Sequence, residues 1–178
     1  MTFTDIRNAL VNSLSEALGV PVILSDQVSP EAEVPFVIYS VIAPYATTGE
    51  LGDHTQHMTT ADDGSENLVD TRRVQPTATF SFTVCSENRW KGDEYIFGDD
   101  EAQSITSAAI GFFLQSGYYD LSTKGIVVVE VTNVGNRTTL IIDEAARRYG
   151  FDLRIRYTRD DRRTDGIVQS VKTIQTKE

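Results

Sequence analysis

Val74-Gln75-Pro76-Thr77-Ala78-Thr79-Phe80-Ser81-Phe82-Thr83-Val84-Cys85 decides the fold. Val74, Ala78, Phe80, Phe82 and Val84 fall on one side, and Gln75, Thr77, Thr79, Ser81 and Thr83 on the other. A period of two is what a strand needs to bury one face and wet the other. Pro76 has no amide hydrogen, which places it near the strand's start or on an edge. A second alternating run sets Tyr149, Phe151, Leu153, Ile155 and Tyr157 against Gly150, Asp152, Arg154 and Arg156. Residues 126–131 are strongly β-branched, and 20–24 read as a short strand. Residues 35–42 are apolar on both faces. They form either an inner strand covered on two sides or an edge buried in an oligomer.

Helices flank these strands. Ile6, Leu10, Leu14 and either Ala17 or Leu18 recur every three or four residues, one face of an amphipathic helix. Thr4 is positioned to cap it and Asp5 to meet its positive end; Gly19 and Pro21 stop it. A second helix is expected over 99–116, with Ile105, Ala109, Phe112 and Phe113 as its buried stripe. Asp99, Asp100 and Glu101 fill its first turn, and Gly117 ends it. Gly111 costs about 1 kcal/mol against Ala inside a helix, which points to close packing there. The order helix, strands, strand, helix, strands lacks βαβ alternation. It predicts an α+β sandwich: two helices on one face of a mainly antiparallel sheet, with a long extended arm or hairpin.

The arm is residues 44–71, which hold no sustained period. Residues 86–98 read as a polar loop carrying Trp90 and Tyr95, and 158–163 as a charged turn. The link 136–148 has room for a helical turn over 143–147, and 167–174 for a closing strand. Between Asp26 and Asp70 the chain has nine acidic residues and no basic one; between Arg147 and Arg163 it has seven Arg and three Asp.

At 178 residues the chain suits a single domain spanning 1–178, with the arm protruding. Its 16 Lys and Arg against 26 Asp and Glu give a net charge of −10. Such a surface is poorly suited to neutralising nucleic-acid phosphates or docking on anionic lipid. One cysteine, Cys85, excludes an intrachain disulfide and a cysteine-based zinc cluster. The N-terminus lacks the pattern of a signal peptide, and no apolar run reaches the ~18 residues of a membrane span. The expectation is a soluble protein made inside a cell.

Chemistry-bearing residues are sparse. His54 and His57, with Asp53, Asp62 and Asp63 nearby, are residue types that suit zinc or manganese. Nothing in their Gly- and Thr-rich surroundings supplies a helical frame to bring them together, and the plainer reading is two polar residues on an arm. No nucleophile elbow, phosphate-binding loop or dinucleotide fingerprint occurs. Arg154 and Arg156 fall on the outward face of a strand. Phosphate contact, carboxylate pairing across subunits and a solvated face all fit them; the excess of acids favours pairing over phosphate contact, and a solvated face fits equally well.

The order of several short pieces resembles bacteriophage neck proteins of the tail-terminator or tail-completion type. Those pieces are Gly19-Val20-Pro21-Val22-Ile23, Pro35-Phe36-Val37-Ile38-Tyr39, Arg73 with the alternating Thr77 to Val84, and Arg147-Arg148-Tyr149-Gly150-Phe151-Asp152-Leu153-Arg154-Ile155. The resemblance covers nearly the whole chain; the segment 86–98 is longer than the family's pattern. It implies a structural virion protein with no cofactor, no metal and no catalytic residue. It implies a homo-oligomeric ring, usually six-fold, between head connector and tail tube. Partners would be the tail tube or sheath protein and a connector adaptor, with DNA passing through the lumen unbound. Phe36, Ile38, Tyr39, Tyr45, Leu51, Met58, Leu68, Arg154 and Arg156 are the expected interface. The arm is expected to be mobile in the free subunit and ordered on assembly, as a hairpin or extended strand with its tip near Asp62-Asp63-Gly64. The alternatives are a tail-tube or head-completion protein and, from another class, a metal-dependent hydrolase.

Overall fold

The computed structural model describes residues 2–25, 32–47, 49–138 and 146–166. In chain order its elements are α1 (Phe3–Leu18), β1 (Val22–Leu24), β2 (Phe36–Ala46), β3 (Asp53–Thr60), β4 (Glu66–Val74), β5 (Thr77–Ser86), β6 (Arg89–Lys91), β7 (Glu94–Ile96), α2 (Gly98–Gly111), a π-helical turn (Phe112–Ser116), α3 (Tyr118–Thr123), β8 (Ile126–Asn136), β9 (Arg147–Tyr157) and β10 (Arg159–Gly166). These fall into two compact units. One comprises residues 1–48 and 75–158; the other comprises 49–74 and, among described residues, 159–166. The expected helical turn at 143–147 lies outside the described residues up to 145, and Arg147 opens β9 instead. The expected closing strand at 167–174 lies wholly outside them.

The first unit is a five-stranded sheet in the order β1-β2-β5-β9-β8, antiparallel except for the parallel β1–β2 pair. The alternating run begins at Thr77, because Val74 closes β4 and Gln75-Pro76 joins the two strands. Ala78, Phe80, Phe82 and Val84 are buried, as their period required. Phe82 is the hub: its ring lies 5.6 Å from Phe151, 5.5 Å from Phe113 and 6.4 Å from Tyr39. Phe3 of α1 stacks on Phe80 at 5.9 Å. Both α1 and the π-helical turn therefore cover the same face of β5. The strand 36–42 proves to be inner along 37–39, hydrogen-bonded to β1 on one side and β5 on the other.

Several local expectations need correction. Thr2, not Thr4, caps α1. The Thr2 hydroxyl accepts from the Asp5 amide at 3.2 Å, and the Asp5 carboxylate accepts from the Thr2 amide at 2.8 Å. That reciprocal box satisfies two orphan amides at once, so it outcompetes a single cap two residues later. Gly19 does stop the helix, at φ 67°.

The second helix does not run evenly to residue 116. α2 gives way to the π-helical turn, whose wider winding turns the adjacent Phe112 and Phe113 both into the core. α3 then adds a short third helix. Gly117 is no left-handed stop, with φ −91°. It is glycine because an added Cβ would sit 2.3 Å from the Phe112 ring. Gly111 has nothing near its missing Cβ, so close packing does not explain it. The buried positions on α2 include Ala102, Thr106 and Ala109, with Ile105 half-buried beside them.

The second unit corrects two further readings. Most of the apparently irregular 44–71 is strand: β2 ends at Ala46, and β3 and β4 form a hairpin. The charged turn at 158–163 is the start of β10, which pairs with β4 over its whole length. The result is a three-stranded antiparallel sheet in the order β10-β4-β3. Its hairpin tip is an Asx turn, in which the Asp63 carboxylate accepts from the Ser65 amide at 2.9 Å and the Ser65 hydroxyl at 2.6 Å.

Candidate assembly surfaces

The segment 86–98 is a small hairpin, not a loop: β6 and β7 pair, with Trp90 opposite Tyr95 and Gly92 at the turn with φ 63°. Its root is fixed to α2. Arg89 holds Glu101 through two hydrogen bonds, 2.7 and 2.9 Å, and the buried Ser86 hydroxyl donates to the same carboxylate. The Arg89 bonds hold the Glu101 carboxyl below its ordinary range, against the opposing effect of burial. Asn88 Oδ1 accepts from the Gly98 amide at 2.8 Å, satisfying an open donor at the helix start. A Cβ on Gly98 would lie 2.6 Å from the Glu87 backbone, so hairpin and helix meet backbone to backbone. Above this root stand three aromatic rings. Trp90 and Tyr95 are 5.1 Å apart, Tyr95 and Phe97 5.0 Å, all edge-on. Trp90 is 69% exposed and Phe97 59%.

The outer edge of the large sheet is β8, which pairs with β9 and with no strand beyond it among the described residues. Bulges interrupt its ladder between Val128 and Glu130 and between Thr132 and Gly135, and Val129 and Val134 are exposed. The sheet face opposite the helices is not simply wet. Arg137 lies across it, donating to Ser81, to Thr83 at 3.2 Å and to Asp152 at 2.9 Å. Asn133 donates to the other Asp152 oxygen at 2.6 Å. Burial alone would raise the Asp152 carboxyl, but these hydrogen bonds overcome it and hold it low. Gly150 makes room: a Cβ there would meet the Phe82 carbonyl at 2.3 Å and Arg137 at 2.9 Å.

In the second unit β3 is exposed along its entire length, and among the β4 residues only Val74 is buried. The ladder places Met58, Gln56 and His54 on one face with Leu68, Asp70 and Arg72. His57, Thr55 and Asp53 share the other with Val69, Thr71 and Arg73. His54 and His57 therefore point to opposite sides. His54 sits 3.6 Å from Asp70, and no group of three or more metal-binding side chains gathers among the described residues. Across the ladder Arg73 grips Asp160 at 2.7 and 3.1 Å.

The residues singled out from sequence separate widely. Tyr39 is buried in the core, and Phe36 and Ile38 are half-buried on β2. Tyr45 is exposed at the far end of β2, and Leu51 is 85% exposed. Met58 faces Leu68 directly across the hairpin. Arg154 is paired with Glu130 of β8 at 3.1 Å, a carboxylate from its own chain. Arg156 is exposed and makes no ion pair among the described residues. It lines a shallow cleft of about 150 Å³ with Gln75, Gly125, Val127, Tyr157 and Thr158. Sequence reading missed the Trp90, Tyr95 and Phe97 cluster as a surface. The available signal was aromatic residues set either side of Lys91-Gly92-Asp93, a hairpin turn in an otherwise polar stretch. It also missed Leu114, Tyr118 and Tyr119, exposed on the π-helical turn and α3.

Among the described residues no helix is long and apolar enough to cross a membrane. No curated protein matches the chain. A family model described as phage neck terminator protein matches residues 5–178. The chain belongs to that family, and it is a structural protein of the bacteriophage virion, in the neck.

Proposed function

We propose that this phage neck terminator protein is the subunit of a closed ring, six-fold in the simplest case, that ends the tail tube and joins it to the head connector. Membership of the neck terminator family over nearly the whole chain carries the reading. The surfaces give it a physical means. Among the described residues, β8 leaves an eleven-residue edge open and β3 one of eight, where a neighbouring chain can add hydrogen bonds. A three-stranded sheet with almost no buried residue is marginal in water and gains most from a partner. The arm, now a hairpin, is the element that would reach the next subunit or the tube.

Charge fits the same reading. The described residues of the second unit carry nine acids against five arginines, so a negative excess remains after pairing. Facing a lumen, that excess would keep passing DNA from sticking, since DNA is a dense polyanion.

Size exclusion with light scattering tests the ring. The expected mass is a small multiple of 19.7 kDa, with rings in negative stain. A clean monomer at tens of micromolar, with no rings of this protein in assembled particles, overturns it. A structure of the ring with a net basic lumen overturns the charge argument alone.

A further inference from the structure

Two features stand on the surface of the first unit. One is the aromatic hairpin. Three clustered rings exposed to water are costly unless something covers them, and a root locked by a bidentate Arg89–Glu101 pair keeps them in a fixed pose. The hairpin and the first turn of α2 carry three exposed carboxylates, Asp93, Glu94 and Asp100, none in an ion pair among the described residues, against one exposed ammonium, Lys91. The other is the cleft beside Arg156. It is a half-open surface cleft of about 150 Å³. Its guanidinium is the type of cation that both stacks on an aromatic face and pairs with a carboxylate.

Their positions are complementary as well. The hairpin leaves the sheet just past Ser86, which pairs with Arg147 at one end of the β5–β9 ladder. Arg156 pairs with Thr77 at the other end. About 30 Å of strand separates them, so no chain can place its own hairpin in its own cleft. A contact between different patches on two copies is heterologous, and repeated it closes a ring or extends a filament.

We propose that subunits join head to tail through these features, with the Trp90 hairpin of one copy seated in the Arg156 cleft of the next. This rests on the ring reading and names its interface. Trp90 covers the guanidinium, and the acidic rim pairs with it.

Oxidative cross-linking tests the contact. Lys91→Cys and Gln75→Cys replace exposed residues on the hairpin and the cleft and leave Trp90 in place, and the native Cys85 is buried. The double variant should oxidise to a ladder of covalent multimers ending at the ring's mass, with neither single variant linking. Arg156→Glu should raise the concentration needed for assembly about tenfold, equivalent to about 1.4 kcal/mol, and Glu94→Arg in the same chain should restore part of it. Rings in light scattering without cross-links overturn this interface and leave the ring standing. Dimers of Lys91→Cys alone overturn it in favour of a two-fold contact. A monomer under all conditions overturns both.

Discussion

Replacing Arg137 by Met should cost the isolated subunit about 2 kcal/mol at pH 7, and much less in acid. Met keeps most of the side chain's volume over β5, so the change isolates charge and hydrogen bonding. The structure fixes the scale. Asp152 is 9% exposed, and Arg137 bonds it beside Asn133 and Ser81 and is its one cation among the described residues. Stranding a buried charge costs about 3–5 kcal/mol. The Arg137 side chain keeps 24% of its exposure and Asn133 remains bonded, which reduces the figure. The sign of the pH effect follows from Asp152. In the native protein its carboxyl is held below the ~3.9 of an unfolded chain. That stabilisation is complete above the unfolded value and is lost as pH falls through the folded one. In the variant, burial acts without the cation and the carboxyl rises, so its penalty disappears as it protonates. Urea unfolding at pH 7, 4 and 3 should therefore show the gap closing steadily. Arg154→Met removes an exposed pair with Glu130 and should cost under about 0.5 kcal/mol. An Arg137→Met penalty that stays the same at all three pH values would refute the electrostatic account and leave only packing.

Phe82→Ala should destabilise the first unit by about 3–5 kcal/mol, because it empties the hub of the ring cluster; urea unfolding measures it. Thr2→Ala removes one half of the capping box and should lower stability by about 0.5–2 kcal/mol, seen as a lower melting temperature. Gly98→Ala should move the aromatic hairpin, since its Cβ meets backbone at 2.6 Å and backbone cannot rotate away. Trp90 is the one tryptophan, so its emission should change while far-ultraviolet circular dichroism does not.

The elements legible in sequence were those whose pattern is set by a single covering layer. β5 and β9 alternate because helices bury one face, and α1 repeats because one side meets the sheet. β3, β4 and β10 escaped because almost none of their described residues is buried, so hydrophobicity has no period to follow. Their order lies in pairing between distant residues instead: Arg73 with Asp160, Met58 with Leu68. The two aromatic neighbours Phe112 and Phe113 read as one buried helical stripe, and both are buried, though on a π-helical turn. Of the interface residues named from sequence, Arg156 lines a cleft, whereas Tyr39 went to the core. The hairpin that holds the largest exposed ring gave little signal, since a three-residue strand is too short to show a period.

The second unit takes its strands from two places in the chain, and this sets a clock on synthesis. β4 finds its hairpin partner β3 immediately, but its other partner, β10, comes only after residues 75–158 have been made. At about 5–20 residues per second that wait is about 4–17 s. Throughout it, β4 has an unpaired side while the first unit's strands emerge. A ribosome-bound chain lacks a finished second unit until β10 has emerged, so the β3–β4 hairpin waits that long for its third strand.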